Sequence, residues 1–213
     1  MSLRIAVLIS GAGTNLQALL DTVHGKHGIE IAAVASSTPT AGGLARAERA
    51  GIETAVFPIV DQRDRAARDH ALGDWLEQRS IELVVLAGFM ELLDPGLVRR
   101  FAGRMINIHP ALLPAFPGVR AIEQALDYGV KVTGVTVHFV DEGVDSGPIV
   151  LQEAFDVLPY SRDIAAIEER VHEIEHRLLP RAVRLIAAGR VHVDPESPRL
   201  VVIEAEGNRD GDD

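Results

Sequence analysis

Leu3 to Ile9 reads LRIAVLI, a run of apolar and mostly branched residues that stops at Ser10-Gly11-Ala12-Gly13. A run this short and unbroken fits a strand covered on both faces, as in parallel sheets. The residues that follow change period. Leu16, Leu19, Leu20 and Val23 recur at i, i+3, i+4 and i+7, which predicts a helix capped by Thr14 or Asn15. The unit then repeats. Ile29 to Ala35 predicts a strand, and Ala41 to Ala50 a small-residue helix closed by Gly51. Thr54 to Phe57 predicts a short strand, and Asp61 to Arg79 a charged helix with Leu72, Trp75 and Leu76 on one face. Ile81 to Leu86, Pro95 to Phe101 and Arg104 to Ile108 predict strand, helix and strand, with Pro95 in the helix's first turn. Alternation at this spacing implies right-handed βαβ units. The expected class is α/β: a Rossmann-like, open, mostly parallel twisted sheet with flanking helices.

The pattern changes after His109. Pro110 to Gly118 carries three prolines and no period, so it reads as a structured loop. Val119 to Tyr128 predicts a helix. Lys131 to Val140 and Pro148 to Asp156 predict strands paired antiparallel across Asp141–Gly147. Tyr160 to Ala188 predicts a long helix kinked or broken at Pro180, and Val191–Val193 with Leu200–Ile203 a closing hairpin. The expectation is one domain over 1–203, with halves at about 1–108 and 109–203. The tail 204–213, with five acids and one Arg, is expected to be disordered.

Composition narrows the chemistry. The chain has no cysteine, which excludes thiol nucleophiles, Cys-zinc sites and disulfides and fits the cytoplasm. A net charge of −10 argues against a nucleic-acid partner. No stretch of about 18 apolar residues exists to span a membrane.

Four constellations carry candidate chemistry. Gly11-Ala12-Gly13-Thr14-Asn15, between a strand and a helix, suits a phosphate held by backbone N–H groups and a helix end. Leu16 stands where a dinucleotide fingerprint has its third glycine, and the loop lacks the Gly-Lys-Ser/Thr ending of an ATP-binding loop. Its plain alternative is a tight turn. Asn107-Ile108-His109-Pro110 ends a strand with Asn107 and His109 on the same side. An amide donor and an imidazole together suit addition to a carbonyl; the plain alternative is a pair that satisfies loop backbone. Asp141-Glu142-Gly143-Val144-Asp145-Ser146-Gly147 reads either as an acidic hairpin turn or as a loop that brings Asp145 to His109 and raises its imidazolium population. His172-Glu173-Ile174-Glu175-His176 matches a zinc-peptidase signature, but no third ligand follows at the needed spacing.

LISGAGTNLQALL, LAGFMELL, INIHPALLPAFPG, TVHFVDEGVDSGPI and the Glu175-His176 segment occur together in order. The chain thereby resembles folate-dependent phosphoribosylglycinamide formyltransferase, the purine-synthesis family also called glycinamide ribonucleotide transformylase. The resemblance runs from Leu3 to about Val193. It implies that Gly13, Thr14 and Asn15 hold the phosphate of 5-phosphoribosylglycinamide and Glu175 its ribose hydroxyls. It implies a folate site lined by Arg63, Met90, Glu91, Leu92, Leu93, Asn107, Asp141, Glu142, Gly143, Val144 and Asp145. Asn107, His109 and Asp145 become the catalytic trio. The implied reaction is direct transfer of the formyl group of 10-formyltetrahydrofolate, the cosubstrate, to the glycinamide amine, with no metal. In the implied scheme, Asp145 keeps His109 cationic. Glu91, Ala111, Ala115 and Arg120 depart from the family's common Arg, Ser, Lys and His. Formyltetrahydrofolate hydrolase is the nearest rival, and it typically carries an extra N-terminal domain, whereas the first strand here starts at Leu3. A zinc metallopeptidase built on His172 and His176 is the rival from another class. Two small-molecule substrates are the expected partners, and an exposed apolar helix face could support a homodimer.

Overall fold

In the first strand, β1 (Leu3–Ile9), alternate side chains enter different cores. Ile5, Val7 and Ile9 join one apolar cluster, whereas Ala6 and Leu8 join another, and all five are fully buried. That division requires helices on both faces, and the chain supplies them. The computed structural model describes residues 2–59, 64–157 and 163–205. After β1 come α1 (Thr14–Thr22), β2 (Ile29–Ser36), α2 (Gly42–Arg49), β3 (Glu53–Val56) and α3 (Arg65–Gln78). β4 (Leu83–Leu86), α4 (Pro95–Arg100), β5 (Met105–His109), α5 (Ala121–Tyr128), β6 (Val132–Phe139) and β7 (Ile149–Asp156) follow. The chain closes with α6 (Ile164–Ala187), β8 (Val191–Val193) and β9 (Val201–Ile203).

The main sheet has seven strands in the order β3-β2-β1-β4-β5-β6-β7. Neighbours from β3 to β5 are parallel, whereas β5–β6 and β6–β7 are antiparallel. The α/β class and the change of strand direction after His109 are as the sequence predicts. Helices α1, α2, α5 and α6 pack on one face, and α3 and α4 on the other. Strand order reverses between β1 and β4, and ligands of open α/β sheets bind beyond the carboxyl ends of strands at such a point.

Several boundaries differ from expectation. Neither Thr14 nor Asn15 caps α1. The N-cap is Gly13 in the left-handed region (φ 73), with no side-chain hydrogen bond to the first turn. Helix α6 does not break at Pro180, because Ile174, Leu178, Leu179 and Val183 bury its apolar face on both sides of the proline. Its N-cap is Asp163, whose carboxylate accepts the Ala166 N–H at 3.2 Å. The expected starts at Asp61 and Tyr160 lie outside the described residues. The closing hairpin forms a separate two-stranded antiparallel sheet, β8–β9. Glu204, expected in a disordered tail, is instead tied to that hairpin: its N–H donates to Arg190 O at 3.0 Å. Residues 206–213 lie outside the described residues.

Candidate active site

Asn107 and His109 sit at the carboxyl end of β5, two residues apart and therefore on one side of the sheet. The β6–β7 loop brings Asp145 to both. Asn107 Nδ2 donates to Asp145 Oδ1 at 3.3 Å, and His109 Nδ1 lies 3.3 Å from Oδ2. The trio expected from sequence is assembled. The loop is a plain hairpin connection that also brings Asp145 to His109. Its shape follows from local chemistry. Asp141 Oδ1 accepts the Gly143 N–H at 3.0 Å and the Ser146 hydroxyl at 2.6 Å, closing an Asx turn. A Cβ at Gly147 would come within 1.9 Å of Phe139 O, so only glycine fits where the loop returns to β6. Asp145 itself adopts φ 49, a left-handed conformation that aspartate tolerates better than most residues.

Three partners were not legible in the sequence. His138 on β6 lies directly across from Asn107 in the ladder. Its Nε2 is 3.3 Å from Asn107 Nδ2 and 3.5 Å from Asp145 Oδ1, while Nδ1 donates to Phe139 O at 2.8 Å. The Gly118 N–H donates to Asp145 Oδ2 at 2.7 Å. Phe116 O accepts from His109 Nε2 at 2.8 Å.

These contacts set the charges. Burial works against the Asp145 carboxylate. The contacts from His138 and the Gly118 N–H, reinforced by the charge of the two rings, outweigh burial and hold the pKa below the usual range. His109 shifts down as well. Burial is the largest cause, and it exceeds the upward pull of Asp145 and of the Phe116 carbonyl. The expectation that Asp145 keeps His109 cationic is therefore corrected: the carboxylate raises the imidazolium population, but desolvation raises the neutral one more. Both ring nitrogens nonetheless face oxygen acceptors, so the cation has a ready-made place when a proton arrives.

The trio opens on a cavity of about 350 Å³, within the usual size of a ligand pocket. Met90, Glu91, Leu92, Leu93, Asn107, Asp141, Glu142, Gly143, Val144 and Asp145 all line it. Arg63 lies outside the described residues. Among the described residues, Arg65, at the first position of α3, lines the cavity. Phe89, Val119, Arg120 and His138 complete much of the wall. Among the departures from the family pattern, Arg120 adopts φ 59 and pairs with Glu123 at 3.2 Å. Ala111 is fully buried, and its carbonyl accepts the Thr136 hydroxyl at 2.7 Å.

The second constellation lies at the carboxyl end of β1. The Ser10 N–H donates to Gly88 O at 3.1 Å, and Ser10 Oγ accepts the Met90 N–H at 2.9 Å, so this loop abuts the cavity wall. A Cβ at Gly13 would lie 2.5 Å from Gly43 Cα, which forces glycine there independently of its φ. Asn15 is 7% exposed, and its Nδ2 donates to Glu175 Oε2 at 2.8 Å. Asn15 Oδ1 is buried without a partner. Burial raises the Glu175 pKa above the usual range, opposed by the Asn15 hydrogen bond and by His172. Gly13, Thr14, Asn15 and Glu175 thus form one group, with free polar capacity beside an uncapped helix end. The rings of His172 and His176 stack 6.1 Å apart. Among the described residues, no group of three His, Cys, Asp or Glu side chains gathers in a way that could hold a metal ion.

The formyl transferase family pattern matches residues 3–183. The chain belongs to the formyl transferase family. It is 41% identical over 191 residues to phosphoribosylglycinamide formyltransferase of Haemophilus influenzae, covering 89% of this chain and 90% of that protein. It is 47% identical over 193 residues to the human trifunctional purine biosynthetic protein adenosine-3, but spans only 19% of that protein's length. Glycinamide ribonucleotide transformylase 1 from Symbiobacterium toebii superposes with a TM-score of 0.88 at 45% identity, over 95% of this chain and 94% of that one. Within the family, the β5 end with its Asn107–His109–Asp145 cluster and the β1 end with its glycine turn are the two candidate ligand sites.

Proposed function

We propose that this chain transfers the formyl group of 10-formyltetrahydrofolate to the amine of 5-phosphoribosylglycinamide, in the cytoplasm and without a metal. The observation that carries the reading is the convergence of Asn107, His109 and Asp145 on one apolar-walled cavity. The folate lies in that cavity, against residues 89–93 and 141–145. The ribonucleotide phosphate lies on the Gly13-Thr14-Asn15 turn, where N–H groups and the helix dipole favour an anion. Glu175 holds the ribose.

The glycinamide nitrogen attacks the formyl carbon, and the carbonyl π pair moves onto oxygen to give a tetrahedral intermediate. The Asn107 amide donates to that oxygen. His109, neutral-leaning at rest, supplies the second donor through its one ring N–H, which turns from its resting oxygen acceptor to the developing oxyanion. Asp145, ionised at rest, takes the proton that leaves the attacking amine and carries it as a neutral acid until the folate nitrogen departs. The C–N bond to the folate then breaks, and that folate nitrogen receives the proton. The number of protons is unchanged over the cycle, and no covalent bond to the protein forms.

Calorimetric titration with each ligand tests the two-site reading. Glycinamide ribonucleotide and a 5,8-dideazafolate should each bind one-to-one, and each in the presence of the other. Mutual exclusion would contradict it.

A further inference from the structure

The segment 89–94, whose residues 89–93 form a wall of the cavity, is held only in part by its own side chains: Phe89 and Leu93 pack on the second apolar cluster, whereas Met90 and Leu92 are 70% and 53% exposed. One anchor is the Ser10 hydroxyl at Met90, described above. The others come from α3, from two residues that line no part of the cavity. Arg68 Nη2 donates to Leu92 O at 3.3 Å, and its guanidinium stands 5.7 Å from the Phe89 ring centre. Asp69 Oδ2 accepts the Asp94 N–H, and Asp94 Oδ1 in turn accepts the Gly96 N–H at 2.7 Å, capping α4. Arg68 and Asp69 also pair with each other. They are 7% and 1% exposed.

A buried ion pair is a poor stabiliser, because the desolvation of two charges offsets most of their attraction. Here the cost is visible. Arg68 Nη1 has no hydrogen-bond partner, and burial lifts the Asp69 carboxyl above its usual range. Nor does the pair serve mainly to join α3 to α4. Arg100 does that, bonding Asp74 at 2.8 Å and Glu77 at 2.7 Å where Gly73 leaves room for it. What Arg68 and Asp69 supply is a grip from α3 on the Leu92 carbonyl and the Asp94 N–H.

We propose that Arg68 and Asp69 are positioning residues that fix the backbone of 89–94, and through it set how tightly the cavity holds its folate ligand. This rests on reading the cavity as the folate site. Neither residue touches the ribonucleotide site, so the two substrates respond differently to their loss.

The test compares Arg68→Met, Arg68→Lys, the double variant Arg68→Met/Asp69→Asn and a control, Arg100→Met. Dideazafolate Kd, both KM values and Tm are measured on the full chain. Arg68→Met should raise the dideazafolate Kd and the formyl-donor KM by ~10-fold, with the ribonucleotide KM within about twofold. Arg68→Lys keeps the charge but not the fork, and should fall between wild type and Arg68→Met. The double variant should regain Tm, because no unpaired charge stays buried, yet keep the weak folate binding. Arg100→Met should lower Tm with the dideazafolate Kd unchanged. A double variant that binds dideazafolate like wild type would overturn the proposal, as would equal rises in both KM values. Failure of the wild-type protein to bind dideazafolate would instead strike the assignment of the cavity.

Discussion

At the carboxyl end of β1 the candidate site is made mostly of backbone; at the carboxyl end of β5 it is made mostly of side chains. The two ends also bury a carboxylate each, with opposite results. Glu175 has one hydrogen-bond donor, Asn15, and burial prevails, so its pKa rises. Asp145 faces the Asn107 amide, the Gly118 N–H and two imidazoles, and its pKa falls. Burial alone does not set the sign; the count of donors and nearby positive charge does. The end assigned to binding tolerates a carboxyl whose pKa is raised. The end assigned the chemistry keeps its carboxylate charged.

The largest effect should come from the side-chain end. Asn107→Ala removes an oxyanion donor and should lower kcat by ~10²–10³-fold, with the ribonucleotide KM little changed. Near-normal turnover would take Asn107 out of the mechanism. Next comes the backbone end. Gly13→Ala places a Cβ against Gly43 Cα at φ 73, where a side chain is strained by ~1–2 kcal/mol before any clash. Calorimetry should find ribonucleotide binding lost and dideazafolate binding retained; equal loss of both would dissolve the distinction between the ends.

Glu175→Gln should be milder, and divided in sign. Ribonucleotide affinity falls by ~10-fold as a charge-assisted bond becomes a neutral one. Stability moves the other way. The folded-state pKa of Glu175 is raised, so its contribution is fully present below ~4.5 and is lost as pH rises through the folded value. The variant should therefore gain on wild type in Tm between pH 5 and pH 8. A constant difference across that range would contradict the burial argument.

The smallest effect concerns Asp145 and His109 on the acid side. Both folded pKa values are depressed, so in each case the unfolded chain takes the proton first. The His109 contribution to stability starts to fall as pH drops below ~6.5, and that of Asp145 below ~3.9. Denaturant unfolding of Asp145→Asn should show a shallower acid limb than wild type. Identical limbs would mean that Asp145 is not held ionised by its neighbours.

Much of this contrast was legible in the sequence, and its gaps have physical causes. The strands, the Gly13 turn and the Asn107–His109–Asp145 set follow from periodicity, residue type and the family resemblance. His138 was missed because its nearness to Asn107 depends on the β5–β6 register, which no local pattern specifies. Phe116 O and the Gly118 N–H act through backbone, to which side-chain motifs are blind. Arg65, at the first position of α3, lines the pocket without any motif to mark it, because its place there depends on how the helix is seated against the sheet. The charge of His109 was misjudged because proximity to Asp145 can be inferred from a motif, whereas the depth of burial cannot.

The central claim is that the two ends act on one reaction, the formyl group crossing from folate to ribonucleotide. The most direct measurement follows the absorbance of 10-formyl-5,8-dideazafolate at micromolar enzyme, with and without glycinamide ribonucleotide. Dideazafolate should be released only when the ribonucleotide is present, one for one with formylated product. Release without it, accompanied by free formate, would make the protein a hydrolase and contradict the account; so would no release under either condition.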